Sequence, residues 1–266
     1  MRVLVTNDDG LHAPGLAHLA AAAVRAGHDV LAVAPEGNYS GSGAAVGDLG
    51  SESRIRCRDM PLAGLAEVQS VELSGPPALC VITAALGAFG EKPEMVLSGI
   101  NPGLNTGRGT LHSGTVGAAL TAFNLGLSAV AVSIAGDEPD VVHWDVAANA
   151  AISAATWIGA GAERTVLNVS VPDLPAEDLR DPRIGTLAPM GAVHTEVFGR
   201  DDQWLLLGFA ETAAELPPDS DSRLAAEGHV VVTPLVGIRA GELDDPDALL
   251  ESLGDARRPG AAGTGP

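Results

Sequence analysis

The sequence predicts an α/β fold in which helices flank a mostly parallel sheet. Three observations predict it. Short apolar, β-branched runs recur at residues 3–5, 29–34, 129–134 and 166–171, and each reads as a strand buried on both faces. Ala-rich stretches with helical spacing alternate with them, at 14–26, 116–125 and 145–160. The first strand, the first helix and the second strand fit within about thirty-five residues, the length of one βαβ unit.

The elements follow in order. Residues 3–5 form the first strand, and Asn7, Asp8 and Asp9 fall where it ends, with Gly10 allowing a sharp turn. Pro14 suits the first turn of a helix running to about residue 25, and Gly27 stops it. The second strand, 29–34, leads into a Gly/Ser/Asn loop at 35–43. Residues 44–67 read as a hairpin or an excursion off the sheet, and 68–73 as a strand. Pro76 and Pro77 open a helix expected over 78–89. Residues 93–101 form a strand ending at Asn101, and a long Gly/Thr loop over 103–117 leads into the helix at 116–125. Strand 129–134, helix 145–160 and strand 166–171 complete the pattern. Beyond Pro172 the chain turns polar and Pro-rich, with isolated strands expected at 184–187, 204–209 and 230–233 between acidic loops. That stretch reads as an appendage, a hairpin arm exchanged between subunits. A short amphipathic helix is expected at 244–253, and a disordered Gly/Pro/Ala tail from 255.

Composition sets the outer bounds. A chain of 266 residues suffices for one large domain, or one domain with an appendage. Hydrophobic residues make up 46% and aromatics only 3%, so the core must be aliphatic. The formal net charge of -19 argues against a nucleic-acid polymer or an anionic membrane as partner. A phosphate substrate stays open, because a bound metal can supply local positive charge. Cys57 and Cys80 are too few for a disulfide framework and read as free thiols. The N-terminus is a strand rather than a signal core, and no apolar run approaches a membrane span, so the expectation is a cytoplasmic protein.

In an open parallel sheet, residues that follow strands share one edge, where ligands bind. Asp8, Asp9, Ser40 and Asn101 all follow expected strands, and Ser113 opens an expected helix. Two adjacent carboxylates repel unless a positive group neutralises them. With a hydroxyl and a carboxamide oxygen they form a hard, oxygen-only donor set suited to Mg²⁺ or Mn²⁺. Ser113, Gly114 and Thr115 would present the free N–H groups of a helix N-terminus, a ready phosphate site. Metal-assisted hydrolysis of a phosphate ester fits this set. Each residue also has a plainer reading. Asp8 and Asp9 could cap the first helix, Ser40 could sit in a flexible linker, Asn101 could be a turn residue before Pro102, and Ser113 could be an ordinary N-cap.

The same residues carry a family resemblance. Thr6-Asn-Asp-Asp-Gly10 with His12-Ala-Pro-Gly15 resembles the opening of SurE-type nucleotidases. Asn38-Tyr-Ser-Gly41, Ser98-Gly-Ile-Asn101 and Ser113-Gly-Thr-Val-Gly117 resemble that family's further motifs in the same order, and 228–235 resembles its C-terminal strand. The resemblance implies a Rossmann-like core over 1–172. It implies a C-terminal extension over 173–254, with a returning strand at 229–235, exchanged in a homodimer or homotetramer. It implies a phosphatase of nucleoside 5′- and 3′-monophosphates that uses one divalent metal ion per subunit. Asp8, Asp9, Ser40 and Asn101 would hold the metal, one of the two Asp carboxylates would position or activate the attacking water, and Asn7, Ser40, Asn101, Ser113, Gly114 and Thr115 would lie toward substrate and phosphate.

Four positions depart from the family pattern. Tyr39 stands where Arg is common, Leu79 where an acidic residue is common, Arg108 or Gly109 near a usual acidic residue, and His112 where Tyr is usual. These leave two other expectations open, a phosphatase retuned to a specialised phosphorylated intermediate, or a homologue that binds nucleotide or metal without turnover. Two unrelated chemistries are disfavoured. A phospho-aspartyl route wants Asp-x-Asp where this chain has Asn-Asp-Asp-Gly, and a dinucleotide-binding oxidoreductase wants Gly-x-Gly-x-x-Gly after the first strand.

Overall fold

The structure is a computed structural model of the chain; it describes residues 1–136, 139–189, 193–211, 215–242, 244–247 and 249–250. The helix expected at 244–253 lies partly, and the tail at 255–266 wholly, outside these residues.

The first strand, β1 (Arg2–Thr6), runs into α1 (Pro14–Arg25) and then β2 (Asp29–Pro35). A short hairpin pairs β3 (Cys57–Asp59) with β4 (Gln69–Leu73), and α2 (Pro77–Ala85) leads to β5 (Met95–Pro102). A 3₁₀ turn over Gly107–His112 precedes α3 (Gly114–Asn124) and β6 (Ser128–Ile134). Then come α4 (Trp144–Gly159), β7 (Val166–Val171) and β8 (Arg180–Ile184). A separate hairpin, β9 (Val193–Arg200) with β10 (Leu205–Glu211), is followed by α5 (Asp221–Ala226) and β11 (His229–Leu235).

Among the described residues nine strands form one sheet in the order β3-β4-β2-β1-β5-β6-β7-β11-β8. From β4 to β7 every neighbouring pair is parallel, while β3 and β11 pair antiparallel with β4 and β7. The expected α/β architecture is therefore the observed one. Alternate residues of β1 serve opposite cores. Val3 and Val5 pack with Leu16 and Leu19 of α1 and with Ala147 and Ala151 of α4, whereas Leu4 packs with Leu79 of α2 and Val116 and Ala119 of α3. Burial on both faces is why β1 reads as an unbroken apolar run rather than an alternating one.

Two expected elements shift, and the stretch after 172 joins the main sheet. Helix α2 ends at Ala85, four residues short of the expected 89, where Gly87 at φ 85° turns the chain away. The strand expected at 184–187 is instead β8, Arg180–Ile184. All five of its residues are exposed at the sheet edge, so no apolar pattern marks it. Residues after 172 also do more than form an appendage, because β8 and β11 extend the main sheet while the β9–β10 hairpin forms a separate sheet.

The topology places the site. From β1 the chain moves to β2 and β4 on one side, then crosses back to β5 on the other. The crevice beyond the carboxyl ends of β1 and β5 is the switch point at which open α/β sheets bind ligands.

Candidate active site at the carboxyl end of the first strand

Asp8 lies just beyond β1 and is only 2% exposed. It does not cap the helix that follows it. The N-cap position of α1 is Ala13, which has no side-chain cap, and Pro14 removes one of the N–H groups a cap would serve. Asp8 faces α3 instead. The Thr115 hydroxyl donates to Asp8 Oδ1 at 2.6 Å, and the backbone N–H groups of Thr115 and Gly114 also favour its charged form. Burial outweighs these contacts and pushes the Asp8 carboxyl above the usual carboxylate range. A carboxylate in that state is poised to gain from a neighbouring cation.

Gly114 makes this approach possible. A Cβ there would come within 2.7 Å of Asp8 Oδ2 and 2.9 Å of Ser42 Oγ. Gly117, one turn on, lets the loop after β2 lie against α3, since a Cβ would reach Gly43 O at 2.2 Å. Ser113 caps α3, its Oγ accepting from Val116 N–H at 3.1 Å. Its N-cap reading therefore holds, and the hydroxyl sits at the same helix end as Gly114 and Thr115.

Asp9 belongs to a second cluster. Asn38 Nδ2 donates to Asp9 Oδ1 at 3.2 Å, and Asn38 Oδ1 accepts from Ser40 N–H at 2.8 Å. One carboxamide thus ties Asp9 to the loop that carries Ser40. Backbone bonds stitch the loops together: Tyr39 N–H to Asp8 O at 2.7 Å, Leu11 N–H to Pro35 O at 3.2 Å, and Gly43 N–H to His112 O at 3.0 Å. Asn101 is the penultimate residue of β5, the neighbour of β1, three residues past Ser98, whose partner across the strands is Thr6. Asn101 Nδ2 donates to Pro102 O at 3.0 Å and Gly103 O at 2.6 Å, which turns its carboxamide oxygen the other way. Asn7 is buried, with its carboxamide bonded at both ends to Gly10, N–H to Oδ1 at 3.2 Å and Nδ2 to O at 3.0 Å. It shapes the turn that presents Asp8 and Asp9.

A divalent ion suits this donor set. Carboxylate, hydroxyl and carboxamide oxygens are hard ligands, and Gly114 keeps the flank of Asp8 free of side chain. Among the described residues no three His, Cys, Asp or Glu side chains converge on a metal position. A metal here would rest on two carboxylates plus neutral oxygens.

Two residues join the site beyond those given a role from the sequence. Asn38, which belongs to the Asn38-Tyr-Ser-Gly41 motif, bridges Asp9 and the Ser40 loop. Ser42 has a buried hydroxyl with no hydrogen-bond partner among the described residues, close to where a Gly114 side chain would be. Of the four departures, Leu79 is buried in the core between α2 and α3, so that change is taken up by packing. Arg108 and His112 are exposed on the 3₁₀ turn, and Tyr39 is half-buried beside Asp8.

With this geometry in place, comparison with known proteins is informative. A family model described as "Survival protein SurE" matches residues 3–193. The 5′-nucleotidase SurE of Solidesulfovibrio magneticus is 38% identical over 244 residues, covering 88% of this chain and 91% of the relative. The 5′/3′-nucleotidase SurE of Cronobacter sakazakii is 36% identical over 240 residues, covering 88% and 90%. The crystal structure of the SurE protein from Aquifex aeolicus superposes with a TM-score of 0.77 at 26% identity, over 95% of this chain and all of that one. The switch-point carboxylates, the glycine-lined helix end and these matches converge on one conclusion: the chain belongs to the SurE family.

Proposed function

We propose that this chain is a phosphomonoesterase that hydrolyses nucleoside 5′- and 3′-monophosphates to nucleoside and inorganic phosphate, using one divalent ion, Mg²⁺ or Mn²⁺, per subunit. The observation that carries the reading is a buried carboxylate, Asp8, set against the N-terminus of α3 at the switch point of the sheet. The names of the relatives agree with it. Asp8, Asp9, Ser40 and Asn101 would hold the ion. When bound, it would polarise a phosphoryl oxygen and lower the pKa of a water molecule. One of the two Asp carboxylates would position or activate the attacking water. Ser113, Gly114 and Thr115 would lie on the phosphate side, the Gly114 and Thr115 N–H groups being shared with the Asp8 carboxylate. Asn7 acts one step back, holding the turn.

Residues 1–172 supply this chemistry in our reading, and the extension over 173–254 supports it and carries the β9–β10 hairpin through which the chain forms a homodimer or homotetramer. Among the described residues no helix is long and apolar enough to cross a membrane, and we place the protein in the cytoplasm. Tyr39, standing beside Asp8 where the family commonly carries Arg, favours a second reading, in which the substrate is a more specialised phosphorylated metabolite.

The test is phosphate release from 5′- and 3′-nucleoside monophosphates and from sugar phosphates, each with Mg²⁺, Mn²⁺ or EDTA. EDTA-sensitive release from nucleotides supports the first reading, and release from other phosphomonoesters alone supports the second. No release from any of them, with metal bound, overturns both.

A further inference from the structure

We infer that Asp221 is a positioning residue, which clamps the segment leading into the phosphate-facing end of α3 onto the C-terminal extension. The inference rests on the phosphomonoesterase reading. Asp221 opens α5 and is 0% exposed. Its Oδ2 accepts from Gly107 N–H at 2.8 Å, and its Oδ1 accepts from Ala188 N–H at 3.0 Å and from Ser222 N–H at 2.7 Å. Burying a carboxylate is costly, and donors on both oxygens offset that cost.

Capping of α5 does not account for the placement. Ser220 already does that, its hydroxyl accepting from Arg223 N–H at 3.4 Å. Besides Ser222 of its own helix, the Asp221 carboxylate reaches two segments 33 and 114 residues away in sequence. Those segments also bond each other, Arg108 N–H donating to Ala188 O at 3.1 Å. Gly185 leaves room for the junction, since a Cβ there would lie 3.2 Å from Asp221 Cα.

Gly107 begins the 3₁₀ turn whose end is tied to the site. His112 O accepts from Gly43 N–H at 3.0 Å, and Ser113 N–H donates to Thr110 O at 3.2 Å. Ser113 caps α3, and Thr115 bonds Asp8. A loosened Gly107 therefore moves the groups proposed to meet phosphate, without touching them directly. The segment of the chain with the weakest sequence signal thereby completes the site.

The test uses the full chain with the Asp221→Asn substitution. The carboxamide keeps the size of the side chain but puts an NH₂ where one oxygen accepted. The expected result is a kcat about tenfold lower or more, with KM changed much less, because misplacement of a binding loop penalises the transition state. Amides over 103–113 should exchange deuterium faster in the variant, while exchange in β1 and β2 stays at the wild-type rate. Ser222→Ala, which leaves the Gly107 and Ala188 bonds in place, should behave as wild type in both respects. Wild-type kcat in Asp221→Asn, or an equal loss in Ser222→Ala, overturns the inference. Should Asp221→Asn not fold, the wild-type exchange decides: slow exchange at 103–113 supports the clamp, and exchange as fast as in an exposed loop overturns it. A wild-type protein that releases no phosphate sinks the phosphomonoesterase reading instead, and the exchange measurement still decides the clamp.

Discussion

The Thr115 hydroxyl donates to Asp8 Oδ1 at 2.6 Å across 107 residues of sequence. This bond joins the end of β1 to the first turn of α3, and so links the proposed metal side of the site to its phosphate side. Thr115→Val removes the hydroxyl and keeps the shape. A buried carboxylate that loses a donor costs about 1–3 kcal/mol, so the variant should unfold at lower urea. Its kcat/KM for nucleotides should fall at least about tenfold. Thr115→Ser should recover most of both, and equal losses in the two variants would rule out the hydroxyl as the cause.

Gly114 tests the space beside that bond. Replacing a helical Gly with Ala ordinarily stabilises by roughly 0.5–1 kcal/mol. Here the added methyl would meet Asp8 Cβ and Oδ2 at 2.7 Å. Gly114→Ala should therefore fail to raise Tm and should lower turnover by about a hundredfold or more. Calorimetry beside steady-state kinetics checks it. A more stable, fully active variant would show that the flank of Asp8 carries no function.

Metal removal separates the two carboxylates from their surroundings. EDTA should abolish phosphate release, and added Mg²⁺ or Mn²⁺ should restore it. Asp9→Asn should bind Mn²⁺ at least about tenfold more weakly by titration calorimetry, because a hard cation loses a charged oxygen. Asn38→Ala should weaken binding less, since it only removes the bridge from Asp9 to the Ser40 loop. Full activity in EDTA, or unchanged affinity in Asp9→Asn, would rule out the metal reading.

Far from the site, Asp173 holds the start of α4. Despite partial burial, which opposes ionisation, N–H bonds from His143 and Val142 and the His143 ring keep its carboxyl below the usual range. A lowered carboxyl stabilises the fold above the ordinary Asp value of about 3.9 and loses that contribution as pH falls through the folded value. Asp173→Asn should thus be less stable than wild type by about 1 kcal/mol at pH 7, because its hydrogen bonds lose the charged acceptor, with the gap closing below about pH 4. Urea unfolding of both proteins across that range measures it.

The parts of the fold that the sequence revealed are those whose burial leaves a pattern. β1, β2, β6 and β7 read as apolar runs because both faces are covered, and their shared parallel direction put Asp8, Asp9 and Asn101 on one edge. β8 left no such mark, being Arg-Asp-Pro-Arg-Ile at an exposed edge. The bonds Thr115–Asp8 and Asp221–Gly107 join residues more than a hundred apart, and no local periodicity encodes them. Asp221 in particular lies in a polar, Pro-rich stretch, where an acidic residue looks like ordinary surface until its burial is known.

Among the described residues the β9–β10 hairpin pairs with no other strand, and it exposes apolar side chains: Phe198 56%, Trp204 74% and Leu206 62%. A two-stranded hairpin is at best marginally stable alone in water, and a cluster of large exposed apolar groups marks a contact surface. If a second copy of the chain covers it, as proposed, Leu206→Glu would bury a charge at the contact, which is strongly unfavourable. Light scattering behind size-exclusion chromatography should then find the wild type at a multiple of 26.8 kDa and the variant at a smaller multiple. The site residues lie in other elements, so the dissociated variant should keep its EDTA-sensitive turnover unless a partner subunit completes the crevice. A wild-type chain that runs as a monomer at every concentration tested would rule out the hairpin as a contact between copies.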